Sequence, residues 1–304
     1  MEHDESINNH KYLKDDDENL QDLEPEDGAV KAYRNVKFLN SSDARTIRIM
    51  AEYLEPESRL GFYDIKDTVV FYGSARIQPA NESGEALERL NEQLITADKK
   101  DVLKIKQKIK LADRDVQMSR YYEEARQLAY QITKWSLDLD ENERFIVCSG
   151  GGPGIMEAAN RGAAEAGGKT IGFNISLPME QHPNPYISKN LSFDFHYFFM
   201  RKFWFVYTAK ALVVFPGGFG TFDELFELLT LRQTKKVVKP LSVIVYGRQY
   251  WESIIDFDKM VEWGVIHEED LKLFHFVDDV EDAFITIRKH FEKEFVGKRK
   301  YWHW

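Results

Sequence analysis

Five apolar runs stand out against a largely polar background: Thr68–Tyr72, Phe145–Cys148, Thr170–Ile175, Ala211–Phe215 and Leu241–Tyr246. Each has strand length and little in/out alternation, the pattern of strands that helices cover on both faces of a parallel sheet. Helical stretches separate them, which predicts an α/β fold with a doubly wound parallel sheet. Phe274–Val277 reads as a short sixth strand at the edge. Between the first two strands, Leu87, Leu90, Leu94, Val102, Ile105, Ile109 and Leu111 recur at three- to four-residue steps among Lys and Glu. This spacing predicts amphipathic helices, as a helical hairpin, inserted at about 81–138. Ser42–Leu54 reads as a further N-terminal helix capped by Ser41 or Ser42. No internal repeat is visible.

The formal charge of -10 over 304 residues is unevenly spread. Residues 1–28 hold eleven acids against two lysines, and the remainder is nearly neutral. Residues 1–40 therefore read as an acidic, solvated and disordered tail, in preference to a regulatory or partner-binding role for the same residues, and 41–304 as one domain. No net-basic domain recommends nucleic acid as a partner. The single cysteine, Cys148, lies in an apolar run and reads as a small core residue. No signal segment opens the chain and no apolar run reaches membrane-spanning length, so a soluble cytoplasmic protein is expected.

Glycine-rich turns follow three of the strands, where open α/β sheets bind ligands. The third, Pro216-Gly217-Gly218-Phe219-Gly220-Thr221-Phe222-Asp223-Glu224, runs from a strand into a helix. Unpaired amides and the macrodipole at such a helix mouth favour an anion, and glycines let a phosphate approach the main chain. No lysine follows the last glycine, so this is not an ATPase P-loop. Glu224 stands one turn inside instead, which suggests chemistry on a sugar phosphate. Thr221 and Glu224 also satisfy a capping-box spacing, a structural role compatible with the first.

The second turn, Gly150-Gly151-Gly152-Pro153-Gly154, places Ile155 where a dinucleotide fingerprint needs its last glycine, and the next strand offers Asn174 where a ribose-binding acid belongs. NAD is therefore disfavoured. The turn serves either nucleotide approach, through Gly151 and Gly152, or close strand–helix packing. Ser74 follows Gly73 in the first turn. In Tyr197-Phe198-Phe199-Met200-Arg201-Lys202-Phe203-Trp204, two cations among aromatics suit a phosphate and a base, or else the aromatics are core or subunit interface and the cations are solvated. His182, His196 and His275 lack metal-ligand spacing, so no metal is expected. Lys202 has the amine for a pyridoxal Schiff base, but nothing around it adds support, and no cofactor is expected.

The second glycine turn with Ile155 and Met156, the Arg201-Lys202 pair and the segment Pro216 to Glu224 together resemble the LOG (Lonely Guy) proteins. These are cytokinin riboside 5′-monophosphate phosphoribohydrolases, long labelled possible lysine decarboxylases. The similarity runs from about Val69 to Tyr250, and Ile175-Ser176-Leu177-Pro178-Met179-Glu180-Gln181 resembles the longer bacterial branch. The resemblance implies a Rossmann-like fold and hydrolysis of the N-glycosidic bond of a nucleoside 5′-monophosphate to base and ribose 5-phosphate. It implies Arg201 and Glu224 as the catalytic pair. Gly217, Gly218, Gly220 and Thr221 would hold the phosphate with Lys202 alongside, and Gly151, Gly152 and Ser74 would complete the nucleotide site. It further implies a homodimer or higher homo-oligomer with the pocket near the subunit interface. The acidic tail and the insertion around 91–118 are not part of the short plant-type pattern. A non-catalytic nucleotide sensor or carrier of the same fold is the alternative.

Overall fold

The computed structural model describes residues 30–176 and 182–298. Residues 1–29, with most of the acidic tail, and Leu177–Gln181 of the motif noted above lie outside the described residues. In chain order the regular elements are helices α1 (Val36–Leu39) and α2 (Arg45–Phe62), strand β1 (Asp67–Tyr72), helices α3 (Ala80–Thr96) and α4 (Val102–Leu137), and strand β2 (Phe145–Ser149). Helix α5 (Ile155–Glu165), strands β3 (Thr170–Ile175) and β4 (Ser192–Phe195), helix α6 (Phe198–Thr208) and strand β5 (Ala209–Val214) follow. The last are α7 (Phe219–Gln233), β6 (Ser242–Tyr246), α8 (Arg248–Glu252), α9 (Phe257–Glu262), β7 (His275–Val277) and α10 (Val280–Glu294).

The seven strands form one sheet in the order β4-β3-β2-β1-β5-β6-β7, and every pairing is parallel. The doubly wound, Rossmann-like fold expected from the sequence is therefore present. Alternation along β1 explains why the sequence showed none: Val69 and Phe71 enter one core while Val70 and Tyr72 enter the other. Both cores are apolar. Helices α4, α5 and α10 cover the first face, and α2, α6 and α7 cover the second.

Three details depart from the sequence reading. Strand β5 begins at Ala209, two residues earlier than expected, because the buried Lys210 is neutralised by Asp67 on neighbouring β1, 2.9 Å away. Strand β4 is an addition, a four-residue edge strand in which Phe193 and Phe195 are buried while Asp194 points out. Helix α2 starts at Arg45 behind Ala44, so neither Ser41 nor Ser42 caps it. Ser41 Oγ donates instead to the Phe38 carbonyl, and Arg48 Nη1 donates to the carbonyls of Leu39 and Ser41. Cys148 is a buried free thiol, as expected, and burial pushes its pKa well above the ordinary value.

Candidate functional site

Strand order reverses between β1 and β5, so the crevice at their carboxyl ends is the topological switch point at which such sheets bind ligands. Ser74 joins the three glycine turns there. Its amide donates to the Pro216 carbonyl (3.0 Å), its carbonyl accepts from the Ile155 amide (3.1 Å), and its Oγ accepts from the Arg76 amide (3.1 Å). Gly154 sits at φ +70, and a Cβ there would fall 2.3 Å from the Ser74 carbonyl oxygen. Only glycine allows the second turn to close on the first.

Helix α7 starts at Phe219, with Gly218 as its N-cap and no side chain capping it. Its first intrahelical bond runs from the Phe222 amide to the Gly218 carbonyl (3.0 Å), so the amides of Phe219, Gly220 and Thr221 lie ahead of the ladder. Gly218 and Gly220 are exposed, and a Cβ on either would meet open space. Packing thus does not call for glycine at these two positions, whereas room for an anion would. Gly217 is different: it is buried against Thr221, whose Oγ1 would lie 2.1 Å from an added Cβ. Tyr250 Oη donates to the Gly217 carbonyl (2.7 Å) and fixes the turn from α8. No local signal marked that tyrosine, which stands 33 residues away in sequence.

The capping-box reading of Thr221 and Glu224 gives way to another partner. Because the helix begins before Thr221, Glu224 lies too deep to reach back, and its Oε1 accepts from Arg201 Nη2 at 2.7 Å. Both side chains are nearly enclosed, Arg201 at 11% exposure and Glu224 at 13%. The Arg201 guanidinium lies over the Phe205 ring at 5.3 Å, and Phe205 meets Tyr72 edge-on at 5.2 Å. Among the described residues Arg201 Nε is buried with no hydrogen-bond partner, a donor that an incoming oxygen can satisfy. Burial pushes the Glu224 carboxyl up to about 7, against the pull of the Arg201 guanidinium. Burial, with Glu224 adding to it, likewise raises the Tyr72 phenol.

Lys202, expected alongside the phosphate, pairs with Asp223 Oδ2 (2.7 Å) and Glu227 Oε2 (2.9 Å). Burial lowers its pKa, but the hydrogen bonds to these acids outweigh that and leave it above the ordinary lysine value. Within the aromatic segment Trp204 and Phe205 are core, whereas Phe198 and Phe199 are about half exposed.

The second glycine turn is held from below by buried amides. Asn160 Oδ1 accepts from Ser149 Oγ (2.6 Å) and Asn184 Nδ2 (2.9 Å), while its Nδ2 donates to Thr170 Oγ1 and the Ile171 carbonyl. Asn184 Nδ2 also reaches the carbonyls of Gly151 and Gly152, both at 3.1 Å. The Gly151 amide is engaged by Ser149 Oγ (3.0 Å), so that amide serves the scaffold. Replacing Asn160 with Ala strands several buried polar groups at once. It should cost about 3 kcal/mol of stability, a loss read from the urea unfolding midpoint.

A family model described as "Possible lysine decarboxylase" matches residues 156–287, which include α6, the glycine turn and Glu224. The cytokinin riboside 5′-monophosphate phosphoribohydrolase LOG2 of Arabidopsis thaliana is 28% identical over 150 residues, covering 48% of this chain and 65% of that protein. The resemblance to the LOG family is borne out. The probable LOG6 enzyme of the same plant is 28% identical over 172 residues, covering 56% of this chain and 81% of its own length. For LOG2 the match thus spans a little under two thirds of the relative. Among solved structures, the Moco carrier protein of Chlamydomonas reinhardtii is 23% identical, covers 57% of this chain and 89% of that one, and superposes with a TM-score of 0.39.

Proposed function

We propose that this chain is a phosphoribohydrolase that cleaves the N-glycosidic bond of a nucleoside 5′-monophosphate, either AMP or a cytokinin riboside monophosphate. The observation that carries the proposal is the enclosed Arg201–Glu224 pair, one helical turn inside the unpaired amides of α7. The names of the LOG relatives support the same reaction class. Phosphate at the mouth of α7 would anchor the nucleotide away from the reacting bond and supply binding energy for positioning. The ribose gains positive charge as the bond breaks, and the Glu224 carboxylate would stabilise that charge and take a proton from the attacking water. The water oxygen bonds to C1′, the C1′–N electron pair leaves with the base, and the base takes up a proton. Arg201, released from Glu224, would hold the phosphate or assist the departing base.

The decarboxylase label finds less support. A Schiff-base lysine must lose its proton, whereas Asp223 and Glu227 hold the Lys202 ammonium in its charged form. The exposed rings of Phe198, Phe199 and Phe219 at the rim favour a homodimer that closes over the site. No helix among the described residues is long and apolar enough to cross a membrane, and the proposed setting is the cytoplasm.

Incubation with a panel of nucleoside monophosphates, read as free base and ribose 5-phosphate, tests the reading. Release of adenine from AMP is expected. Tight binding without release over hours would replace it with the carrier reading. The pH profile supplies a second test. Below about 7 Glu224 takes up its proton and loses its charge, so kcat/KM should fall on the acid side with an apparent pKa near that value. The substrate's own phosphate titrates near pH ~6. The residual rate of Glu224→Gln should therefore keep only that lower limb.

A further inference from the structure

The α3–α4 hairpin supplies none of the residues of the candidate site described above. Helix α4 is 36 residues long, about 54 Å at 1.5 Å per residue, and its buried residues begin only at Ala112. Among the described elements, helix α3 packs extensively on α4. Residues 80–111 include nine Leu, Ile and Val, yet among them only Ser83 is buried. The seam between the helices, with Leu90 and Ile105, stays half-covered, while Ile95 and Leu103 are 85% and 75% exposed.

Charge is divided between the two helices. Helix α3 bears Glu82, Glu85, Glu88 and Glu92 against Arg89, while the first ten residues of α4 bear Lys104, Lys106, Lys108 and Lys110 with no acid. The pair Arg89–Glu85 stays within α3, and no ion pair among the described residues joins an acid of α3 to a lysine of α4. We propose that the hairpin is a self-association arm that docks on the hairpin of a second copy of this chain, acidic α3 of each against basic α4 of the other. Charge selects the geometry. A twofold axis parallel to the helices sets α3 antiparallel to the partner's α4 and gives a four-helix bundle whose neighbours alternate in sign and direction. A twofold axis across the helices would set like charges together, which is unfavourable. The bundle would close the half-covered seam, which two helices alone leave open to water.

Sedimentation equilibrium of the full chain tests this. Beyond the salt-insensitive site dimer proposed above, a further association step is expected at low salt (about 50 mM) and should weaken at about 500 mM, where exposed charges are screened. Reversing the four lysines to Glu, or the four glutamates to Lys, should raise the dissociation constant of this contact at least about 10-fold in each variant alone. Mixing the two variants should restore the complex, because one hairpin is then wholly acidic and the other wholly basic. Circular dichroism establishes that each variant is folded, and the salt series on the unaltered chain needs no variant. The proposal fails if the reversed chains keep the unaltered mass, or if mixing restores nothing. A mass that does not change across the salt series, whether that of the monomer or of the site dimer, overturns it too. The result is independent of nucleotide turnover, which the hairpin variants should leave unchanged.

Discussion

Glu224→Gln is expected to lower turnover of AMP at least about 100-fold, the loss typical of a principal acid–base or electrostatic group. The substitution keeps side-chain volume and an acceptor oxygen for Arg201 Nη2, now 2.7 Å from Glu224 Oε1. It therefore removes charge and basicity rather than shape. A 100-fold loss corresponds to about 2.7 kcal/mol of transition-state stabilisation. Loss of fold must be separated from this, because removing one partner of an enclosed ion pair can itself destabilise. Adenine release should accordingly be measured alongside cooperative thermal unfolding on the same preparation. Turnover within a few-fold of the unaltered chain, with the fold intact, would take Glu224 out of the chemistry. The proposed phosphate cradle would then have to be examined on its own.

The elements most legible in the sequence were those with a physical reason to be locally explicit. Strands buried on both faces must be continuously apolar, and all five long runs became strands of the sheet. The hairpin was legible because two helices packed on each other keep a three-to-four periodicity. What escaped was settled by neighbours distant in sequence. Lys210 looks like a strand terminator until Asp67 is seen beside it, and β4 is too short to show a run. At the site, the strand–glycine–helix signal placed the helix mouth, because anion-binding turns need their residues in a row. The partner of Glu224 could not be decided from the spacing between Thr221 and Glu224. That spacing fits a capping box equally well, and only the start of α7 at Phe219 rules it out. The roles of Asn160, Asn184 and Tyr250 were invisible for the same reason: each acts on backbone groups that the fold brings near.

Gly220→Asp separates the proposed anion site from the stability of the helix that would form it. Gly220 is the second residue of α7, is exposed, and has no left-handed φ, so the backbone accepts a side chain there. An acid in the first turn complements the helix dipole, and glycine is a poor helix former. The variant should therefore be as stable as the unaltered chain or up to about 1 kcal/mol more stable. Ligand binding should respond in the opposite direction. A carboxylate about 4 Å from a bound phosphate charge is opposed by about 4 kcal/mol at an effective dielectric of ~20, or roughly 100- to 1,000-fold in affinity. KM for AMP should rise by about that factor while unfolding shifts upward or not at all. Were α7 an ordinary helix start with the nucleotide bound elsewhere, the same substitution would stabilise the fold and leave KM alone. Stability and KM measured together on this one variant thus decide whether the mouth of α7 is a phosphate site.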